Sequence, residues 1–140
     1  MLDTNMVNYI LNGNPQVTER YKSVETETFV GGIVVEEILI AGFGAEINNI
    51  RSGKSKADLG RTFADFHKRI DALARFQKLP YTNDAEAVFR LLKSGKGSAK
   101  VKAIDGRIAA HTLSLGMILV TENVADFESV AGLTVENWAR

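Results

Sequence analysis

The chain has 140 residues, 17 basic against 17 acidic side chains, 45% apolar residues and no cysteine. That length fits one domain of common size; zero net charge gives no overall pull toward nucleic acid or membrane, and the missing thiols exclude disulfides, thiolate nucleophiles and Cys-ligated zinc. The most apolar run, 29–45, is interrupted by Glu36 and Glu37, and the opening Met-Leu-Asp-Thr-Asn lacks the regions of a signal peptide, so the expectation is a cytoplasmic protein without a membrane span.

Met6, Val7, Ile10 and Leu11 recur at helical spacing, and Asn12-Gly13-Asn14-Pro15 ends that helix with turn residues. Residues 29–33 read as a short buried strand, followed by a helix through Val34, Val35, Ile38 and Leu39 to Gly42. Leu59, Phe63, Phe66, Ile70 and Leu73 predict one long amphipathic helix over 54–77. Leu79-Pro80-Tyr81 predicts a brief edge strand, and 84–93 a further helix. Residues 94–102 form a Gly, Ser and Lys loop, and Ile104, Ile108 and Leu115 mark a helix closed by Gly116. Strands at 117–120 and 133–138 complete the chain. Short apolar strands alternating with helices predict an α/β sandwich around a short, mostly parallel sheet.

Function in such sheets gathers beyond the carboxyl ends of the strands, which directs attention to polar residues following strands. Asp3 follows the first, central strand; it serves equally as a helix N-cap or as a site carboxylate. Glu37 lies in an apolar stretch, where a buried carboxylate needs a cation or a raised pKa, while Glu36 is its solvated neighbour about 100° around the helix. Asp105 opens a helix whose dipole favours an acid there even without further function. His111 falls on the apolar stripe and reads as a core or boundary histidine. With His67 distant from it, a histidine-rich zinc site is not expected.

Taken in order, these segments resemble the PIN-domain family, and within it the VapC-type toxins. Leu2-Asp3-Thr4-Asn5 resembles the family's opening LDTN, and Val34-Val35-Glu36-Glu37-Ile38 with Gly42 resembles its glutamate segment, Glu37 matching by register. Asp105-Gly106-Arg107-Ile108-Ala109-Ala110-His111 is similar to its D-x-x-I-A-A-H helix start. The run 119–127 is similar to its LVT strand and turn, and 131–138 to its GL-x-V-x-x-W ending.

The resemblance implies a single PIN-like domain over 1–140, folded as a three-layer α/β/α sandwich. It further implies a metal-dependent endoribonuclease that acts as the toxin of a toxin–antitoxin pair on a translational RNA. Asp3, Glu37 and Asp105 would be the catalytic, metal-binding acids, with Mg²⁺, or Mn²⁺ as substitute, as the ion; hard oxygen donors without Cys or His suit it. Asn123 stands where many relatives carry Asp, and Asp126 is the other candidate to complete the ligand set. The hydroxyls of Thr4 and Thr121 are placed to steady ligands. The loop before Asp105 is basic, and Lys96, Lys100, Lys102 and Arg107 are candidate RNA-backbone contacts. A small antitoxin is the expected partner, together with a homodimer, because the helices near 7–11 and 59–74 carry more apolar surface than a small sheet covers. The alternatives are a catalytically silent PIN-like binding module, and an aspartyl-nucleophile phosphohydrolase. The latter expects an acid where Asn5 stands.

Overall fold

In the computed structural model, which describes residues 1–94 and 99–140, a parallel sheet is built outward from Leu2. Leu2 bridges Val30 on one side and Val120 on the other. Strand β1 (Phe29–Gly31) continues to β2 (Gln77–Leu79), and β3 (Ile118–Val120) to β4 (Thr134–Glu136), all in parallel. Leu2 N donates to Phe29 O at 2.9 Å, Val120 N to Met1 O at 2.8 Å, and Asp3 N to Val120 O at 3.1 Å. The order β2, β1, Leu2, β3, β4 means that the chain first builds one side of Leu2 and then returns to build the other. Successive connections therefore diverge above Leu2, and such a switch point opens a crevice at the carboxyl ends of the strands. Asp3 stands there.

Parallel strands require crossovers, and helices supply them, giving α/β/α layering. Helices α1 (Thr4–Leu11) and α2 (Pro15–Ser23) lead from Leu2 to β1. Between β1 and β2 the chain forms α3 (Gly32–Glu36), a wider helical segment with π-type turns (Glu37–Gly44), α4 (Ala45–Arg51) and α5 (Leu59–Leu73). Helices α6 (Asn83–Lys93) and α7 (Ala103–Ser114) precede β3, and a 3₁₀ turn (Val124–Phe127) precedes β4. The core joins Leu2, Met6, Val30, Val34, Ile108 and Leu119, all buried. Fully burying a side chain such as Leu2 stabilises by about 1.5–3 kcal/mol. No helix among the described residues is long and apolar enough to cross a membrane.

Several boundaries differ from the sequence expectation, each for a local reason. Pro15 does not merely end α1; it opens α2, where its missing N–H is not needed and Asn14 Oδ1 accepts from Val17 N at 3.1 Å. Helix α5 begins at Leu59 rather than 54, because Asp58 Oδ1 caps it by accepting from Arg61 N at 2.7 Å. Strand β2 lies before Pro80 rather than around it, since proline has no N–H to give a ladder. The helix expected to stop at Gly42 runs on through the wide turns into α4, and Gly53, at φ 75°, follows its end. Gly31 meets a packing demand of another kind: a Cβ there would stand 2.8 Å from His111 Nδ1. His111 is buried at 2% exposure, in agreement with its reading as a core histidine.

Candidate active site

Asp3, Glu37, Asp105, Asn123 and Asp126 line one cavity of about 440 Å³, together with Thr4, Asn5, Lys102 and Ile104. They come from separate parts of the chain. Asp3 follows the central strand position, Glu37 opens the wide helical segment, Asp105 sits in the first turn of α7, and after β3 Asn123 precedes the 3₁₀ turn that contains Asp126. Turns of π type frequently occur at functional positions, and here one begins at the candidate acid itself.

Asp3 is 6% exposed, and its Oδ1 accepts from Met6 N at 2.8 Å as the N-cap of α1. Both expectations for this residue therefore apply to the same carboxylate: one oxygen caps the helix, and the side chain lines the cavity. Burial raises its pKa, and the charge of Asp105 adds to this; the Thr121 hydroxyl and the amides of Met6 and Asn5 oppose it. Thr121 is fully buried, and its Oγ1 accepts from Asn123 N at 3.0 Å, which fixes the start of the β3 turn next to Val120, whose carbonyl accepts from Asp3 N.

Burial likewise raises the pKa of Asp105, followed by the charges of Glu37 and Asp126, with Lys102 pulling the other way. Glu37 is half-buried, and its Oε2 accepts the hydroxyl of Thr4; Glu36 beside it is exposed, as expected. Glu122, whose side chain the sequence reading left without a role, accepts from Tyr9 OH at 2.6 Å and so anchors the turn carrying Asn123 to α1.

Carboxylates that raise one another's pKa form a site deficient in positive charge. Among the described residues, however, no three Asp, Glu, His or Cys side chains are drawn together tightly enough to chelate an ion as they stand. The arrangement is a set of carboxylate and amide oxygens lining one open cavity. That suits a hard cation which keeps several of its waters, such as Mg²⁺, better than a cage of direct ligands. His111 lies outside the cavity, so among the described residues that line it the charged side chains able to ligate a cation are carboxylates.

The basic candidates separate. Lys102 lines the cavity and is exposed. Lys100 is exposed beside it, with its backbone N–H donating to Ser129 Oγ at 2.9 Å. Lys93 Nζ instead donates to the carbonyls of Ala99 and Val101, at 3.1 and 2.9 Å, and closes the loop. Arg107 points to α6, where Glu86 holds it in a bidentate pair at 3.0 and 3.1 Å. Its charge is therefore engaged inside the protein. Lys96 lies outside the described residues. The Glu86–Arg107 pair had no signal in the sequence, because its partners are 21 residues apart.

The PIN domain family matches residues 1–133. The chain is 32% identical over 141 residues to Ribonuclease VapC2 of Haemophilus influenzae, covering 99% of this chain and 96% of that protein. It is 29% identical over 140 residues to the tRNA(fMet)-specific endonuclease VapC of Shigella flexneri, covering 99% and 97%. Among solved structures, a chain of DNA-bound VapBC from Salmonella typhimurium superimposes with a TM-score of 0.73 at 28% identity, covering 99% of this chain and 96% of that one. With the five expected motifs in order and the fold shared end to end, the chain belongs to the PIN-domain family.

Proposed function

We propose that this protein is a divalent-metal-dependent endoribonuclease and the toxin of a toxin–antitoxin pair. The observation that carries this reading is the convergence of Asp3, Glu37 and Asp105 on one cavity at the switch point of the sheet. The relatives' names, Ribonuclease VapC2 and tRNA(fMet)-specific endonuclease VapC, support an RNA of the translation apparatus as substrate, and the VapBC complexes support a cognate antitoxin.

In this reading Asp3, Glu37 and Asp105 would hold the ion, with Asn123 offering a neutral oxygen and Asp126 acting through a water. When bound, Mg²⁺ or Mn²⁺ would supply positive charge to the scissile phosphate and ease deprotonation of the attacking water. Thr4 keeps the Glu37 carboxylate in place, and Thr121 orients Asp3 and the Asn123 backbone. Lys100 and Lys102 contact the RNA backbone at the cavity mouth, with Lys96 assigned to the same role from its place in the sequence. Arg107 does not share it, because Glu86 already pairs with its guanidinium. A second copy of the chain covers exposed apolar residues such as Ile40 and Ile70; light scattering at tens of micromolar tests this, and a monomer overturns it.

The enzymatic test is to map RNA ends produced by the wild type and by Asp3→Asn, Glu37→Gln and Asp105→Asn. Wild type should cut, EDTA should stop it, and Mg²⁺ or Mn²⁺ should restore it, while each variant stays inactive. A variant that cuts at near wild-type rate with Mg²⁺ supplied removes that residue from the site. Cleavage in EDTA removes the metal.

A further inference from the structure

We propose that Glu86 is a positioning residue for Asp105: through Arg107 it clamps the first turn of α7 to α6 and so fixes the carboxylate in the cavity. This rests on the reading of Asp105 as a metal ligand. The first turn of α7 needs such support, because the residue at its N-cap, Lys102, makes no side-chain capping bond. Uncapped turns fray. Asp105 and Arg107 are two residues apart, or about 200° around the helix, so one faces the cavity while the other faces α6.

On the α6 side the contacts are specific. Arg107 Nε donates to Glu86 Oε2 at 3.0 Å and its Nη2 to Oε1 at 3.1 Å, and the guanidinium lies 4.1 Å from the centre of the Phe89 ring. Both side chains of the pair are about a quarter to a third exposed, so water screens them only in part. Tyr81 OH donates to the same Glu86 Oε2 at 2.8 Å, and the Tyr81 ring packs edge-on to His111 with centroids 5.5 Å apart. Glu86 thus joins the segment after β2, helix α6 and helix α7 at one carboxylate. Gly106, between Asp105 and Arg107, makes the close approach possible, since a Cβ there would stand 2.9 Å from both Phe89 and Val101.

Mn²⁺ binding, followed by the paramagnetic signal of free ion, tests the clamp without depending on catalysis. Amide hydrogen exchange at 106–109 is read on the same samples. Asp105→Asn should weaken binding most. Glu86→Ala should weaken it about 10-fold, the lower end of the effect of groups supporting a metal ligand, and speed exchange at 106–109. Glu86→Gln, which keeps one acceptor oxygen, should fall between, and it replaces the alanine variant if that fails to fold. Val17→Ala, in the buried face of α2 away from the cavity, should lower thermal stability and change neither reading. Wild-type Mn²⁺ affinity in both Glu86 variants, with affinity lost in Asp105→Asn, overturns the clamp alone. An equal loss in Val17→Ala reduces the effect to stability and also overturns it. Unchanged binding in Asp105→Asn removes the reading on which the clamp rests, and the clamp with it.

Discussion

Asp3 has two duties that one pair of substitutions separates. Its Oδ1 caps α1 by accepting from Met6 N at 2.8 Å, and its buried carboxylate lines the acidic cavity. Asn caps a helix about as well as Asp, whereas Ala loses about 1 kcal/mol, within a range of roughly 0.5–2. Both substitutions remove the desolvated charge, so their difference isolates the cap. For a chain of this size about 1 kcal/mol corresponds to roughly 3–5 °C in Tm. In EDTA, Asp3→Asn should melt at or above the wild type, because burial already disfavours the charged form, and Asp3→Ala should melt roughly 3–5 °C below Asp3→Asn. With Mn²⁺ at 100 times its Kd the wild type should gain about 2.7 kcal/mol, and the same concentration should stabilise neither variant appreciably. Scanning calorimetry with and without Mn²⁺ decides. Coincident melting of the two variants in EDTA refutes the cap, and a full Mn²⁺ gain in Asp3→Asn refutes the ligand.

Asp3 and Asp105 both titrate above their ordinary value of 3.8, so between that pH and their raised values the folded, metal-free protein binds more protons than the unfolded chain. Its stability should therefore fall as pH rises through that window, and urea denaturation in EDTA should show a shallower fall for Asp105→Asn; an unchanged slope speaks against the coupling. Glu86 titrates below its ordinary 4.5, chiefly through its bond from Arg107, so its contribution is present above that pH and is lost as pH falls further; Glu86→Gln should remove this acid-side loss from the same curves. Gly106→Ala should destabilise by up to about 2 kcal/mol, since overpacking costs about 1–3 and the better helix propensity of Ala returns about 1. A chemical-denaturation midpoint equal to the wild type shows instead that Phe89 and Val101 yield. Asn123→Asp should lower the Mg²⁺ concentration for half-maximal cleavage and Asp126→Asn should reduce activity only modestly; no shift in the first with complete loss in the second reverses their order.

The acids were legible in the sequence because each follows a strand or opens a helix, places where the local pattern already marks a boundary. Asp3 after Leu2 and Asp105 before Ile108 are of this kind. Glu37 separates from Glu36 by its position around a helix in an apolar stretch, with the family register in agreement, and the structure shows the physical difference: one is half-buried against Thr4, the other is exposed. Helix α2 is not legible from the turn residues, because a proline after Asn12-Gly13-Asn14 marks the end of one helix and the first turn of the next equally well. The start of α5 escaped because the apolar spacing does not reveal where a cap will stop it, and Asp58 does so. The charge of Arg107 and its place beside a basic loop suggest an RNA contact. Its actual partner, Glu86, is set by how α6 meets α7, which no local pattern encodes.

The sheet's centre is a single residue near one end of the chain, and its neighbour Val120 lies 118 positions away. Loop closure over such a span is entropically slow, and the reward comes only when Leu2 is held from both sides. During synthesis Asp3 leaves the ribosome well before Thr121 and Asn123, and has neither to meet until the residues between them have followed. Under the function proposed here, a nascent chain that has not yet reached Asn123 has no site with which to cut.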